Sequence, residues 1–253
     1  MARLLAIEWD TRELRAIVAS SFGDRMEIEQ ATAIPIAPGG AENNSTAEVS
    51  NALKAWLENI GVAKVPAMVV VGGLQVELHE LSLPPAPAEE LPDLVRYQMQ
   101  REVTSLDENT PLDYFVLAGD SETHYRILAA IIPAQVLAQA QTICHNAGIR
   151  LSRMALRPCA TASLADRSVE QQDGIHLVIH PLELEVDIVA VAERTANLIR
   201  TVRLPHGPDT VSDARSLALV SEVRRTIASV RQQIGEQIVT RITICGDQNQ
   251  QAA

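Results

Sequence analysis

Val76 to Val103 reads VELHELSLPPAPAEELPDLVRYQMQREV, and its punctuation organises the chain around it. Leu74, Val76 and Leu78 alternate with Gln75, Glu77 and His79 in the two-residue period of a half-buried strand. The strand must stop after Leu81-Ser82-Leu83, because Pro84 and Pro85 cannot donate to a sheet ladder. Beyond Ala86-Pro87 the period becomes helical, and a helix is expected from Ala88 to Val103 with Leu91, Val95, Met99 and Val103 along one face. Glu89 and Glu90 fall in its first turn, where acids complement the helix dipole, and Pro92 is tolerated near the start. Two more strands, 112–118 and 125–132, flank Gly119-Asp120-Ser121-Glu122, and a helix from about Pro133 to Asn146 closes at Gly148. The order strand, helix, strand, strand, helix reads as a small α+β insertion between Gly73 and Arg150.

Upstream, Leu4–Ile7 and Leu14–Ser20 read as a hairpin whose polar tip is Trp9-Asp10-Thr11-Arg12-Glu13, and Arg25–Ile36 as a third strand. Ser45 or Thr46 can cap a helix carrying Val49, Leu53, Trp56, Leu57 and Ile60, which Gly61 ends. Ala67–Val71 is a continuous apolar run, expected to be a strand buried on both sides, and Gly72-Gly73 then turns the chain. Downstream, a short helix near 158–165 precedes strands at 175–179, 184–191 and 197–204, a long helix over 213–234 and a last strand at 239–245.

The chain has 253 residues, 47% of them apolar and 21% charged, enough to bury a sizeable core. Its net charge of −11 argues against nucleic acid as a partner, and an aromatic content of 3% leaves no platform for base stacking. Cys144, Cys159 and Cys245 show no paired spacing and read as reduced core thiols. The first ten residues lack a signal-peptide core, and no apolar stretch reaches the length of a membrane-spanning helix, so direct membrane insertion is not expected.

Four features carry a family likeness: Leu83-Pro84 followed by Glu89-Glu90-Leu91 opening a helix rich in Gln and Glu, Leu112-Asp113-Tyr114-Phe115-Val116-Leu117, Gly148-Ile149 with Leu156-Arg157-Pro158 before an alanine-rich helix, and Arg200–Pro205 before the long helix. Their order, over essentially the whole chain, resembles the PilM family of type IV pilus assembly proteins, relatives of FtsA and the actin-like ATPases; the type II secretion protein GspL is a more distant relative. The resemblance implies an α/β, actin-like (ribonuclease H-like) two-lobed fold with the small insertion. Residues 1–73 and 151–170 would form the first lobe, 74–150 the insertion and 171–253 the second lobe. That second lobe reads as incomplete, since the family continues through a further helix and strands.

The resemblance also implies nucleotide loops, against which this sequence departs. The first tip should carry glycine and serines, but reads Glu8-Trp9-Asp10-Thr11-Arg12-Glu13, with Asp10 in the glycine's place. A carboxylate there repels phosphate, and Arg12 compensates in part. The second should run from an acid through glycine, but reads His180-Pro181-Leu182-Glu183-Leu184-Glu185-Val186-Asp187-Ile188, where Asp187-Ile188 alone matches. At the adenosine end, Cys245-Gly246-Asp247-Gln248 keeps one glycine. At most a degenerate ATP/Mg site is expected, at Asp10, Thr11, Arg12, Asp187 and Gly246, and no cofactor or catalytic residue.

What the family does then implies a non-catalytic scaffold, cytoplasmic and held at the inner face of the membrane through a partner. It would dock the N-terminal segment of a PilN-like membrane protein between the first lobe and the insertion, and contact the assembly ATPase. Leu78, Leu81, Leu83 and Arg96 are the expected partner contacts. The alternatives are a nucleotide-switched actin-like ATPase and an actin-like filament former.

Other chemistry is weak in this sequence. His176 and His180 could share a strand face near Glu183 and Asp187, but Pro181 breaks the register and no zinc spacing is present. Alternating acids at 183, 185 and 187 read as a half-exposed strand. No phosphate-loop or dinucleotide fingerprint occurs, so Gly72-Gly73 reads as a turn. No nucleophile elbow surrounds Ser163, and no base is evident for Cys144 or Cys159. Arg224, Arg225 and Arg231 with Glu222 and Glu236 read as a solvated helix face.

Overall fold

The computed structural model describes residues 2–23, 25–36, 46–104, 106–170, 173–205, 212–233 and 237–246. The expectations for Ser45, Glu236 and Asp247 lie outside them. Within the described residues the chain forms two compact units, 1–71 with 132–155, and 72–131 with 156–253.

The first unit is a five-stranded sheet with two helices. β1 (Ala2–Trp9), β2 (Glu13–Phe22) and β3 (Arg25–Pro35) form an antiparallel meander. Helix α1 (Thr46–Asn59) then carries the chain across to β4 (Pro66–Val71), which pairs parallel with β1. Such a crossover needs a helix, because parallel neighbours cannot be joined by a tight turn. Val49, Leu53 and Leu57 recur along the buried face of α1, and the inward stripe of the meander supplies Leu5, Ile7, Leu14, Ala16 and Val18. Residues of β4 alternate between buried and half-buried, so this strand is covered fully on one face only, contrary to the reading of 67–71 as buried on both. The continuous apolar run misled because apolar residues also fill half-exposed positions.

Helix α3, the third along the chain (Ala134–Asn146), packs on α1, and the strand Arg150–Leu156, β8 in chain order, completes the sheet as β3-β2-β1-β4-β8. Ser152 Oγ donates to the Ala67 carbonyl at 2.9 Å, tying β8 to β4. Arg150 and Arg153 interrupt the apolar alternation of β8, which is why the sequence shows no strand there.

The second unit contains two sheets. The chain leaves β4 through Gly72 into a single 3₁₀ turn, Gly73–Gln75, where the sequence had suggested an early strand. β5 (Glu77–Leu83) follows, then α2 (Leu91–Glu102), β6 (Leu112–Ala118) and β7 (Tyr125–Ile131), with the strands ordered β5-β7-β6. Residues 88–90 form a turn and Glu90 is the N-cap, so α2 starts three residues later than its acids suggested. Leu81 and Leu83 meet Val95 and Met99 of α2 and Ile127 and Ala129 of β7 in one apolar cluster.

The other sheet joins β9 (Ile175–Pro181), β10 (Glu185–Ala192), β11 (Thr195–Arg203) and β12 (Val239–Ile244) in the order β11-β10-β9-β12. Helix α5 (Ser212–Gln233) covers one face through Val223, Ile227 and Val230, and α4 (Arg157–Arg167) the other through Ala162 and Ala165. With both faces covered, β9 and β10 are apolar almost throughout, as central strands of such a layer must be. Burying one Leu177-sized side chain contributes about 1.5–3 kcal/mol.

The divisions expected at 73/74, 150/151 and 170/171 fall differently. α3 clusters with the first unit because its buried face meets α1, and α4 clusters with the second because it contacts β9, β10 and β11.

Candidate functional site

Two hairpin tips carry the residues singled out in the sequence. At the tip between β1 and β2, Asp10 Oδ1 accepts from the backbone N–H groups of Arg12 and Glu13 at 2.8 and 3.0 Å, an Asx arrangement that fixes the turn. Its Oδ2 pairs with Arg15 Nη2 at 2.9 Å, while Arg15 also reaches Glu13 at 2.6 Å and Glu8 at 3.4 Å. Burial works against the Arg15 charge, but Asp10, Glu8 and Glu13 outweigh it and raise its pKa. Arg15 is thus a compensating cation at this tip that the sequence reading, which named Arg12, did not include. Thr11 and Arg12 are exposed at the tip, and the Arg12 carbonyl accepts from Ile36 N at 2.6 Å.

The tip between β9 and β10 has a different support. The guanidinium of Arg215, on α5, donates to the carbonyls of Leu182 and Glu183, and Leu182 N bonds to Glu185 O at 2.8 Å. Asp187 is 1% exposed. Its Oδ2 accepts from Arg157 Nε at 2.7 Å and its Oδ1 from the hydroxyl of Thr201, its cross-strand neighbour, at 2.6 Å. Arg157 Nη2 donates to Glu185 as well, so one guanidinium joins two carboxylates. Burial opposes the Arg157 charge, yet the hydrogen bonds and charges of Asp187 and Glu185 prevail and raise its pKa.

Gly72 and Gly73 sit on this cluster. A Cβ on Gly72 would lie 3.1 Å from both terminal nitrogens of Arg157 and from Glu185, and one on Gly73 would lie 1.9 Å from Thr201 Oγ1. At Gly73 only glycine allows the backbone so close, and at Gly72 a Cβ would press on the ends of the Arg157 and Glu185 side chains.

A magnesium–triphosphate needs backbone N–H groups turned to phosphate and carboxylates open to the metal's water shell. In the first tip the Arg12 and Glu13 amides point to Asp10; in the second the tip carbonyls face Arg215, and both oxygens of Asp187 are occupied. The residues present do not fit such a group. Gly246 follows β12 with φ 132°, next to Cys245, whose N–H bonds to Ile179 O at 2.8 Å.

Arg157, Thr201 and Arg215 were missed in the sequence. One signal was available for the first: an arginine opening a helix is opposed by the helix dipole, so Arg157 at the start of α4 called for acids nearby.

The expected partner face needs correction. Leu81 and Leu83 are 2% and 3% exposed and belong to the core beneath α2, because strand alternation turns both inward. Arg96 holds the loop before β6, donating to the carbonyls of Asp107 and Thr110 at 3.4 Å. Leu78 is half-buried on β5, an edge strand that pairs with β7 on one side.

Other candidates resolve into structure. His176 lies between Asp166, 3.3 Å from Nδ1, and Thr243, 2.8 Å from Nε2. Among the described residues no group of three or more His, Cys, Asp or Glu side chains is placed to hold a metal ion. None of the three cysteines is disulfide-bonded, and burial pushes the Cys144 and Cys159 thiols up to about 11. Arg225 pairs with Glu222 at 2.7 Å, as does Arg200 from β11 at 3.1 Å, so Glu222 joins α5 to the sheet. No helix among the described residues is long and apolar enough to cross a membrane.

A meander, a crossover helix, an α+β insertion and a second antiparallel meander covered by helices on both faces define an actin-like fold, and solved structures agree. A protein of Bacteroides thetaiotaomicron with actin-like ATPase fold and unknown function superposes with a TM-score of 0.51 at 9% identity, over 96% of this chain and 90% of its own. Within that fold, the chain is similar to PilM as solved in the PilM–PilN type IV pilus biogenesis complex, with a TM-score of 0.69 and 20% identity over 91% of this chain and 71% of that one. The cytoplasmic domain of EpsL, an inner-membrane component of the type II secretion system of Vibrio cholerae, gives 0.55 at 12% identity over 98% and 87%. No family model and no curated protein sequence matches the chain.

Proposed function

We propose that this protein is a non-catalytic, PilM-like scaffold that docks the N-terminal segment of a PilN-like inner-membrane protein and contacts the assembly ATPase of a type IV pilus or type II secretion-like machine. It would act on the cytoplasmic side, held at the membrane through that partner. The observation that carries the non-catalytic reading is the internal neutralisation of both tips, where Asp10 takes up its own loop amides and Arg157 takes up Asp187. The partner class rests on the likeness to PilM in its complex with PilN. Segment capture asks only for a shaped surface and accessible backbone groups, which an edge strand such as β5 supplies without reactive side chains.

Calorimetric titration with magnesium-ATP, then with a synthetic N-terminal peptide of the PilN-like protein, tests this. Peptide binding without nucleotide binding is the expected result. Saturable, magnesium-dependent ATP binding would overturn the non-catalytic reading in favour of a nucleotide-switched ATPase, and absence of peptide binding would remove the PilN-like partner. A sedimentation coefficient that climbs steadily with concentration would favour a filament former.

A further inference from the structure

Helix α4 sets Cys159, Ala162, Ser163, Asp166 and Arg167, spaced three and four apart, along one of its faces. Between that face and the sheet lies a cavity of about 150 Å³, completed by Val191, Arg194 and Ala196 from β10, β11 and the turn joining them. Ala162 and Ala196 carry single methyl groups where larger side chains would fill the space, which is about the size that admits a benzene-sized body. Burial, helped by the Asp187 charge, raises the Cys159 thiol to about 11, so it lines the cavity uncharged at neutral pH.

The charges around this cavity are two guanidiniums and one carboxylate. Asp166 is already engaged, at 3.3 Å by His176 Nδ1 and at 3.4 Å by Arg194 Nη1. That long contact leaves most of the N–H groups of Arg194 available, its side chain is 47% exposed, and Arg167 makes no ion pair among the described residues. Arg194 comes from a two-residue turn in which Glu193 and Arg194 have φ of 52° and 62°, a conformation that tight turns usually give to Asn or Gly.

We propose that this cavity binds a small monocarboxylate with a compact apolar body, the carboxylate held by Arg167 and Arg194 and the body lying on Ala162, Val191 and Ala196. A guanidinium fork matches a carboxylate in both shape and charge. A dianion such as phosphate would set a second negative charge beside Asp166 and leave the apolar floor bare. The cavity shares no residue with either hairpin tip, and the inference goes beyond the scaffold reading without resting on it.

Calorimetric titration at neutral pH with sodium benzoate tests this, beside benzyl alcohol, which has the body without the charge, and sodium phosphate, which has the charge without the body. Benzoate should bind one to one at millimolar concentration or below, and the other two about tenfold more weakly or not at all. Arg167→Gln/Arg194→Gln should weaken benzoate binding by about tenfold or more, and Ser163→Leu, at an exposed position on the cavity wall, should weaken it by occupying the space. A retained far-ultraviolet spectrum separates these losses from unfolding. In wild-type protein labelled at its alanine methyls, benzoate should shift the Ala162 and Ala196 resonances, a readout that needs no variant. Absence of saturable benzoate binding, equal affinity for benzyl alcohol or phosphate, binding that the folded double variant retains, or unmoved Ala162 and Ala196 methyls would overturn the inference.

Discussion

The two hairpin tips meet one problem, a carboxylate beside a tight turn, and solve it at different depths. Asp10 has a side chain 40% exposed, and Arg12, Glu13 and Arg15, which bond to it, lie within five residues of it. Asp187 is 1% exposed and draws its partners from residues 30 positions upstream and 14 downstream. Water screens the first carboxylate, so local groups suffice to orient it. The second has lost that solvation, and tertiary structure brings a guanidinium and a hydroxyl to it instead. The same residue type is thus a turn former in one tip and a keystone of the fold in the other.

This contrast breaks first at Arg157. Arg157→Gln strands two carboxylates at a buried site, and removing one partner of a buried pair costs about 3–5 kcal/mol, read as a lower urea midpoint. A loss below ~1 kcal/mol would show that water reaches Asp187 and would erase the difference between the tips. Arg215→Ala comes next, since it takes a charged donor from the Leu182 and Glu183 carbonyls; about 1.5–3 kcal/mol is expected, with faster amide exchange confined to residues 182–185. Gly73→Ala should cost about 1–3 kcal/mol, because its methyl must displace the Thr201 hydroxyl from Asp187. Combining Gly73→Ala with Thr201→Val tests that route: the double variant should lose less than the sum of the single losses, because the two residues share one contact.

The architecture was legible where periodicity and punctuation agreed. Leu83-Pro84 and the four-residue spacing of Leu91, Val95 and Met99 each placed an element within a few residues of its structural bounds, whereas the acids at 185 and 187, read as marking a half-exposed strand, sit on a strand that is buried from Val186 onward. β8 stayed hidden because Arg150 and Arg153, on opposite faces of the strand, break its alternation. The site was legible in its acids and illegible in its cations. Asp10 and Asp187 could be found by matching the loops to a pattern, but Arg15 is chosen by geometry that no local pattern expresses, and the local sign of Arg157 was its place at the start of α4. The partner face failed for a related reason. Leu81 and Leu83 look like a binding stripe in one dimension, and only the placement of α2 over them shows that the stripe is already covered.

The smallest expected effect lies at Asp10 and bears most directly on the contrast. Asp10→Ala deprives the Arg12 and Glu13 amides of their acceptor, but both are at an exposed tip where water replaces it, and Arg15 keeps Glu13 at 2.6 Å. A loss under about 1 kcal/mol is expected, falling further as salt is raised. Asp10→Asn separates the two roles of this side chain, because an amide oxygen still accepts from the backbone while the pairing with Arg15 loses its charge. If Asp10→Asn matches the wild type and Asp10→Ala does not, the turn-forming hydrogen bonds matter at this tip and the ion pair does not. Should Asp10→Ala instead cost as much as Arg157→Gln, the first tip would be as dependent on its charges as the second, and exposure would not be what distinguishes them.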